Sequence, residues 1–395
     1  MMDINDIKNF AVIGAGTMGH EIAQVALMAN FEKVILNDVN KNILNAARIK
    51  IEKNLVKLQN KNKLGQGNSP EILMDHLITE TELSEAVSHA DFVVEAIPEV
   101  MELKQEIFSK LGEFTPKETI LATNTSTMSI TKIAASSTKP DKVLGMHFFI
   151  PIVVLRLIEL IKGEKTSQET FEIAYVIGEK LPALKGKRYI AKIEKESPGF
   201  IVNRLNIAAN LYMNWLLDKA MKDGIPIEKI DNDVAQSPDL GPFAKWDYLG
   251  LDIICDTMNY FAEVLSPEFI PGVTLTKLIK EGNLGRKSGK GLYEWIEGKP
   301  EIRTNEKAGL FSLELYYAIQ LNEGCKLLEE GIVSGYKVID DTMLAGMDIP
   351  GPFIAGKKKY QNWTKLLIDF SEKTGLNYFK PCDLMKSGKF INMRK

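Results

Sequence analysis

Short apolar runs rich in β-branched residues alternate with helical stretches from the N-terminus to Ile161: Phe10-Ala-Val-Ile13, Val34-Ile-Leu36, Phe92-Val-Val-Glu-Ala-Ile97, Ile120-Leu-Ala122, Val143-Leu144 and Leu155 to Ile161. Strands that are apolar on both faces and separated by helices build a parallel sheet covered on both sides. The pattern predicts an α/β Rossmann-type doubly wound sheet. After Ser197-Pro-Gly199 the period changes, and Ile207, Leu211, Leu216 and Leu217 recur at helical spacing with few strand signals. A mainly helical region follows.

The helical region repeats itself. Leu211 to Phe243 and Leu315 to Phe353 each read as a helix rich in Leu and aromatics, followed by Gly-Ile (Gly224, Gly331), Ile-Asp (Ile230-Asp231, Ile339-Asp340) and Gly-Pro-Phe (Gly241, Gly351). The offset between copies drifts only slightly along the segment, as small loop insertions would cause. Three domains are expected: the α/β domain over 1–194, a helical domain over 195–298 and a second, related all-α domain over 299–395.

With 395 residues, 45% hydrophobic and 26% charged, the chain has ordinary globular composition. A formal charge of −3 gives no global field to recruit nucleic acid or an anionic membrane, so an anionic ligand has to be held locally. The longest apolar stretch, Val143 to Leu155, is broken by His147 and falls short of the roughly 18 to 20 residues that cross a bilayer. Asp3 and Asp6 precede the first apolar run where a secretory signal would carry basic residues, so a cytoplasmic location is expected. Cys255, Cys325 and Cys382 are odd in number and far apart in sequence, which supports neither a disulfide framework nor a Cys-x-x-Cys site. The histidines number four (His20, His76, His89 and His147), so an imidazole base has few places to come from.

Gly14-Ala-Gly-Thr-Met-Gly19 follows an apolar strand and opens a helical segment, the context in which such glycines cradle a dinucleotide. Gly14 would permit the tight turn, Gly16 the approach of a pyrophosphate, and Gly19 the packing of helix on strand, with Thr17 and Met18 at the helix N-terminus. A tight turn without a ligand is the plainer reading. Asp38, where the second predicted strand ends, can accept both hydroxyls of an adenosine ribose and repel a 2′-phosphate, favouring NAD; it could equally be a helix cap. His147 ends the strand beginning at Val143, at the edge where doubly wound sheets bind ligands. Glu159 stands in the apolar return strand, where an unpaired carboxylate is costly and an imidazole partner removes the cost. Such a pair suits proton abstraction from an alcohol. The alternative is a core His and a surface Glu on unrelated sides. Asn124-Thr-Ser-Thr127 is either a helix cap or a substrate contact. Lys50, Lys53, Lys57 and Lys61 share one helix face, either a solvated face or the anchor of a phosphate-rich ligand.

The ordered set of Gly14-Ala-Gly-Thr-Met-Gly19, Val93-Val-Glu-Ala-Ile-Pro-Glu99, Asn124-Thr-Ser126, Gly145-Met-His-Phe-Phe149, Glu159, Pro198-Gly-Phe-Ile-Val-Asn-Arg204, Gly241-Pro-Phe243 with Gly250-Leu-Asp252, and Gly285-Arg-Lys-Ser-Gly-Lys-Gly291 resembles the L-3-hydroxyacyl-CoA dehydrogenases of fatty-acid β-oxidation and their 3-hydroxybutyryl-CoA relatives. The resemblance covers almost the whole chain. It implies NAD-dependent oxidation of (S)-3-hydroxyacyl-CoA to the 3-oxo thioester. His147 would be the general base, Glu159 its partner, and Ser126 and Asn203 the groups that hydrogen-bond the reacting oxygen or thioester. Glu99, Lys104, Ser126 and Lys287 fall at nicotinamide-side positions and Lys61 at a coenzyme A position, which tips the lysine stripe toward ligand binding. The duplicated helical domain is similar to that of longer family members, implying an intramolecular pseudo-dimer, with a homo-oligomer still open. Hydratase and thiolase steps would belong to separate enzymes.

One departure stands out: the family's His-Phe-Phe-Asn-Pro reads His147-Phe-Phe-Ile-Pro151 here. Loss of an amide beside the base bears on activity and substrate choice, and motivates a rival reading as a non-catalytic acyl-CoA or NAD-binding homologue. Thr127 in place of the usual Ser keeps a hydroxyl. A dehydrogenase of a sugar acid is a third reading, disfavoured by the lysine stripe.

Overall fold

The computed structural model describes residues 7–234 and 240–395. One sheet holds β1 (Asn9–Ile13), β2 (Lys33–Asn37), β3 (Leu77–Glu80), β4 (Phe92–Glu95), β5 (Ile120–Thr123), β6 (Val143–Phe148), β7 (Leu157–Ile161) and β8 (Tyr189–Ile193). Their spatial order is β3-β2-β1-β4-β5-β6-β7-β8, and neighbours are parallel except β6 and β7. The direction of winding reverses between β1 and β4, which opens a crevice at the carboxyl ends of the strands. Val12, Val34, Leu36, Val94, Leu121 and Leu144 are wholly buried in the strand interiors. Each such side chain stabilises the fold by roughly 1.5–3 kcal/mol.

Two strands escape the sequence pattern, β3 and β8. β3 lies at one edge, pairs with β2 and leaves Ile78 41% exposed. β8 lies at the other edge and interrupts its apolar positions with Lys192. Edge strands need no continuous apolar run, and polar residues there blunt unwanted pairing.

The chain divides into two compact units. One holds the sheet and its helices through Val202, joined by Glu330–Gly351. Within it, helix Tyr336–Met347 packs on β7 and β8, so closely that a Cβ at Gly346 would overlap Leu157.

The other unit comprises Asn203–Glu329 and Pro352–Arg394 and is mostly helical, with long helices at Val202–Lys222, Leu313–Glu329 and Pro352–Thr374. Its interior carries a charged network. Arg204 Nε and Glu323 Oε1 lie 2.5 Å apart with each side chain 1% exposed, and Glu323 also receives Tyr378 Oη at 2.7 Å and Lys326 Nζ at 3.1 Å. Aromatic rings pack around the same junction: Phe370 meets Tyr212 and Trp215 edge-on, and Tyr378 meets Phe269. Residues before and after position 298 therefore share one core here. Two buried carboxylates fasten the loops. Asp231 accepts from Phe243 N, Ala244 N and Tyr293 Oη, and burial pushes it up to about 6 against those hydrogen bonds. Asp247 accepts from Leu292 N, Tyr293 N and Trp295 Nε1, holding the segment after Gly285.

The two repeated segments also look alike locally. Gly224 and Gly331 both end a helix with positive φ, +67° and +68°. Gly241 and Gly351 each precede a proline that opens a helix, and a Cβ at either would overlap the aspartate of its Ile-Asp pair, Asp231 or Asp340.

Candidate active site

The glycine-rich turn follows β1. Gly14 has φ +96° and its N–H donates to the Asn37 carbonyl at 2.8 Å; a Cβ there would strike the Ala96 carbonyl. A Cβ at Gly19 would strike the Gly14 carbonyl, so this residue sets how closely helix Thr17–Met28 approaches the strand. At Gly16 no atom lies within 4 Å of a Cβ position. Gly16 is the N-cap of that helix, next to Thr17 and Met18, and open space at a helix N-terminus fits a dinucleotide pyrophosphate. Asp38 follows β2, and its Oδ2 accepts from Ala15 N at 3.0 Å while its Oδ1 accepts from Asn40 N at 2.9 Å. The cap of helix Lys41–Asn60 is Asn40, whose Oδ1 accepts from Asn42 N and Ile43 N, so Asp38 is not that cap.

At the end of β6, His147 faces Glu159 across the antiparallel pair with β7; the two are direct register partners. Their spacing in sequence is the length of the connection that turns the strand back. His147 Nδ1 lies 2.8 Å from Glu159 Oε2, and Glu159 Oε1 accepts from Ile201 N and Val202 N, both at 3.0 Å. Glu159 is fully buried and His147 is 6% exposed. With both carboxylate oxygens engaged as acceptors, Nδ1 carries the proton and Nε2 is left as the basic nitrogen. Phe149 and Phe200 flank the imidazole, with ring centroids 4.3 and 5.8 Å away. Asn124 Oδ1 receives Phe148 N at 2.9 Å and ties the end of β5 to the histidine strand. Here the amide of Asn124-Thr-Ser-Thr127 has a structural role.

Glu99 gathers the next loop. Its Oε1 accepts from Ser126 N (2.7 Å), Ser126 Oγ (3.2 Å) and Thr125 Oγ1 (3.0 Å). Beneath it Lys104, 1% exposed, lies 2.6 Å from Glu95 Oε1 and 3.3 Å from Glu99 Oε2. Glu95 is fully buried at the end of β4 and also receives Ile97 N and Thr123 Oγ1. Burial pushes its carboxyl up, and the Lys104 ammonium opposes that shift. Two carboxylates and one ammonium leave this cluster an excess negative charge when ionised.

Glu95, inside the Val-Val-Glu-Ala-Ile-Pro-Glu run, is not among the expected site residues, although a lone carboxylate in an apolar strand is the same signal that marks Glu159. Arg188 is not among them either. This buried guanidinium donates to four carbonyls, those of Leu155, Ile152, Pro182 and Leu181, clamping the loop that follows the histidine strand. Burial lowers its pKa to about 10. Glu21 receives Ile152 N on the same loop, and Ile150 is 49% exposed.

The lysine stripe is exposed. Lys50, Lys53 and Lys57 lie on helix Lys41–Asn60 opposite a buried face of Leu44, Ala47, Ile51, Leu55 and Leu58, and Lys61 is the residue just past the helix end. Asn203 and Lys287 belong to the helical unit: Asn203 follows Val202 at the start of helix Val202–Lys222, and Lys287 pairs with Asp252.

A Rossmann-type sheet with a glycine turn and a carboxylate at the ends of β1 and β2, and an imidazole held by a buried glutamate at the end of β6, is the framework of a nucleotide-dependent dehydrogenase class of site. The family follows from comparison with known proteins. The 3-hydroxyacyl-CoA dehydrogenase NAD binding domain matches residues 9–188 and the 3-hydroxyacyl-CoA dehydrogenase C-terminal domain matches 199–295, so the chain belongs to the 3-hydroxyacyl-CoA dehydrogenase family and carries its NAD-binding domain. It is 34% identical over 296 residues to 3-hydroxybutyryl-CoA dehydrogenase of Clostridioides difficile, covering 72% of this chain and 98% of that one. The human mitochondrial hydroxyacyl-coenzyme A dehydrogenase is 36% identical over 295 residues, covering 73% and 91%. Among solved structures, (S)-3-hydroxybutyryl-CoA dehydrogenase from Ralstonia eutropha aligns with TM-score 0.66 at 29% identity, over 74% of this chain and all of the other (100%). A 3-hydroxybutyryl-CoA dehydrogenase from Escherichia coli aligns with TM-score 0.84 over 98% of this chain and 99% of its own, at 24% identity, a likeness of fold that takes in the tail. Among the described residues no helix is long and apolar enough to cross a membrane.

Proposed function

We propose that this chain oxidises (S)-3-hydroxyacyl-CoA to 3-oxoacyl-CoA, reversibly, with NAD. The observation that carries the reading is the His147–Glu159 pair at the carboxyl edge of a sheet whose first turn fits a dinucleotide. Gly14, Gly16, Thr17, Met18 and Gly19 would cradle the pyrophosphate and Asp38 the adenosine ribose, with Glu99, Lys104 and Ser126 on the nicotinamide side. Bound NAD supplies the acceptor for the hydride that leaves C3. His147 Nε2 takes the hydroxyl proton as the C3–O bond becomes a carbonyl. Glu159 holds the ring by Nδ1–H and stabilises the imidazolium that results. In the reverse direction the imidazolium returns that proton to the forming alkoxide. Ser126 and Asn203 are assigned to the reacting oxygen or thioester, Lys287 to the cofactor side and Lys61 to coenzyme A; these rest on the resemblance. Residues 299–395 are read as a second copy of the helical domain covering the first as an intramolecular pseudo-dimer, a reading supported by the shared aromatic core around Phe370.

The test is consumption of NADH with acetoacetyl-CoA, run beside free acetoacetate and a panel of longer 3-oxoacyl-CoAs. Turnover with thioesters and little with the free acid is expected. Binding of acyl-CoA with no turnover of any thioester would favour the non-catalytic reading that Ile150 motivates, and turnover confined to free acids would favour a sugar-acid type of activity.

A further inference from the structure

Two of the three cysteines, far apart in sequence, are neighbours in the fold. Cys325 lies on helix Leu313–Glu329, one turn beyond Asn322 and on the same face. Asn322 binds the C-terminal segment on both sides of Pro381: its Nδ2 donates to the Lys380 carbonyl at 3.1 Å, and its Oδ1 accepts from Cys382 N at 2.8 Å. Cys382 Sγ lies 3.9 Å from the Asn322 carbonyl. This anchoring sets the Cys382 thiol at the helix carbonyl one turn before Cys325, beside the Cys325 side chain. Cys325 is buried, while Cys382 is partly open to solvent. The contact with Cys325 and the N–H of Met385 hold the Cys382 thiol below its ordinary range, and burial pushes Cys325 up. The two thiols are therefore unequal: one is accessible and more easily ionised, the other sheltered behind it.

We propose that Cys325 and Cys382 form a redox modification site that closes to an intramolecular disulfide when a peroxide reaches Cys382. The Cys382 thiolate attacks hydrogen peroxide, an S–O bond forms as the O–O bond breaks, and water leaves once the released hydroxide is protonated. The Cys325 sulfur then attacks the Cys382 sulfenic acid. The S–S bond forms as the S–O bond breaks, and the departing hydroxide takes the Cys325 proton as a second water. Two thiols lose two electrons and the peroxide gains them. The cross-link staples the C-terminal segment to the helix that bears Glu323, two residues from Cys325, and fixes Tyr378, four residues before Cys382, over that carboxylate. It thus locks the network that holds Arg204. The proposal is independent of the dehydrogenase assignment.

The experiment treats the full reduced chain with a small excess of hydrogen peroxide, alkylates remaining thiols, and maps peptides without reduction. A Cys325–Cys382 linked peptide that dithiothreitol reverses is expected, with Cys255 recovered as its alkylated thiol. The cross-linked protein should melt several degrees higher than the reduced one. Cys325→Ser should stop the reaction at a Cys382 sulfenic acid that dimedone captures, and Cys382→Ser should leave Cys325 reduced. Circular dichroism checks that both variants are folded. Wild-type protein in which Cys382 proceeds to sulfinic acid without a linked peptide would overturn the proposal. So would links scrambled with Cys255, or a pair inert at peroxide levels that oxidise free cysteine.

Discussion

The carboxyl edge of the sheet and the interior of the helical unit are both built on buried carboxylates, but they hold them by different means. Glu159 is held by strand register and two consecutive backbone amides, all set by β6, β7 and the chain just after β8. Glu323 is held by side chains alone, Arg204, Lys326 and Tyr378, drawn from widely separated parts of the chain. Backbone amides are fixed donors that cost little further ordering, so the first arrangement suits chemistry that needs a fixed imidazole. The second couples distant segments and stands or falls as a unit. Function in the first region and cohesion in the second should therefore respond to different substitutions.

The largest expected effect is on chemistry. His147→Ala should lower kcat by about two to four powers of ten while the protein stays folded, because general-base catalysis contributes about that much; the melting midpoint falls only as far as the buried Glu159 misses its imidazole partner. Glu159→Gln should lose less but still substantially, since its amide has one accepting oxygen where Glu159 uses two, for Nδ1–H and for the Ile201 and Val202 amides, and carries no charge to offset the imidazolium. Steady-state turnover with acetoacetyl-CoA beside a thermal melt separates the two quantities. Near wild-type turnover in His147→Ala would remove His147 from the role of base.

The mirror experiment acts on the helical unit. Glu323→Ala removes the carboxylate that Arg204, Lys326 and Tyr378 share, and breaking a buried pair in this way costs about 3–5 kcal/mol. Urea titration should show that loss. Arg204→Met with Glu323→Leu, which removes both charges, should recover most of it. A single variant as stable as wild type would mean that water reaches Arg204 and that the unit is looser than its packing indicates.

These regions also differ in how far they are legible in sequence. His147 and Glu159 are readable because their separation equals one antiparallel return, and a carboxylate amid Leu157, Ile158, Leu160 and Ile161 demands a partner. The glycine turn is readable because its steric demands are local. Arg204 with Glu323 and Cys325 with Cys382 are not, because no periodicity relates helices that meet only through tertiary packing. Arg188 looks like a surface residue beside Lys185 and Lys187, and nothing local shows that four carbonyls converge on it. β3 and β8 are missed for the reason that edge strands tolerate polar residues.

Glu95 belongs to both regimes, with one backbone donor, one hydroxyl and one ammonium. Glu95→Gln should release Lys104 toward Glu99 and disturb the hold of Glu99 on Ser126. A loss of about tenfold in NADH affinity, about 1.4 kcal/mol, is expected, along with a lower melting midpoint. Protein fluorescence titration with NADH reads the first quantity directly. If the midpoint falls but NADH affinity does not, Glu95 is a packing residue of β4 and has no part in arranging the cofactor side.

The smallest effect concerns Ile150, and it bears on how strictly the sheet edge is specified. The loop it belongs to is fixed at Ile152 by Glu21 on its N–H and by Arg188 on its carbonyl, and at Leu155 by Arg188 again. Those anchors use backbone groups, so exchanging the half-exposed side chain of Ile150 should leave the loop path intact. What changes is polarity three residues beyond the base, where the family carries an amide. Ile150→Asn should therefore change the ranking of 3-oxoacyl-CoA chain lengths by a few fold in kcat/KM, about 1 kcal/mol or less, with NADH affinity unmoved. A uniform change across all chain lengths would place the effect on the loop itself. A large gain in turnover from an inactive wild type would show that the isoleucine had silenced a site whose proton-transfer pair remained in place.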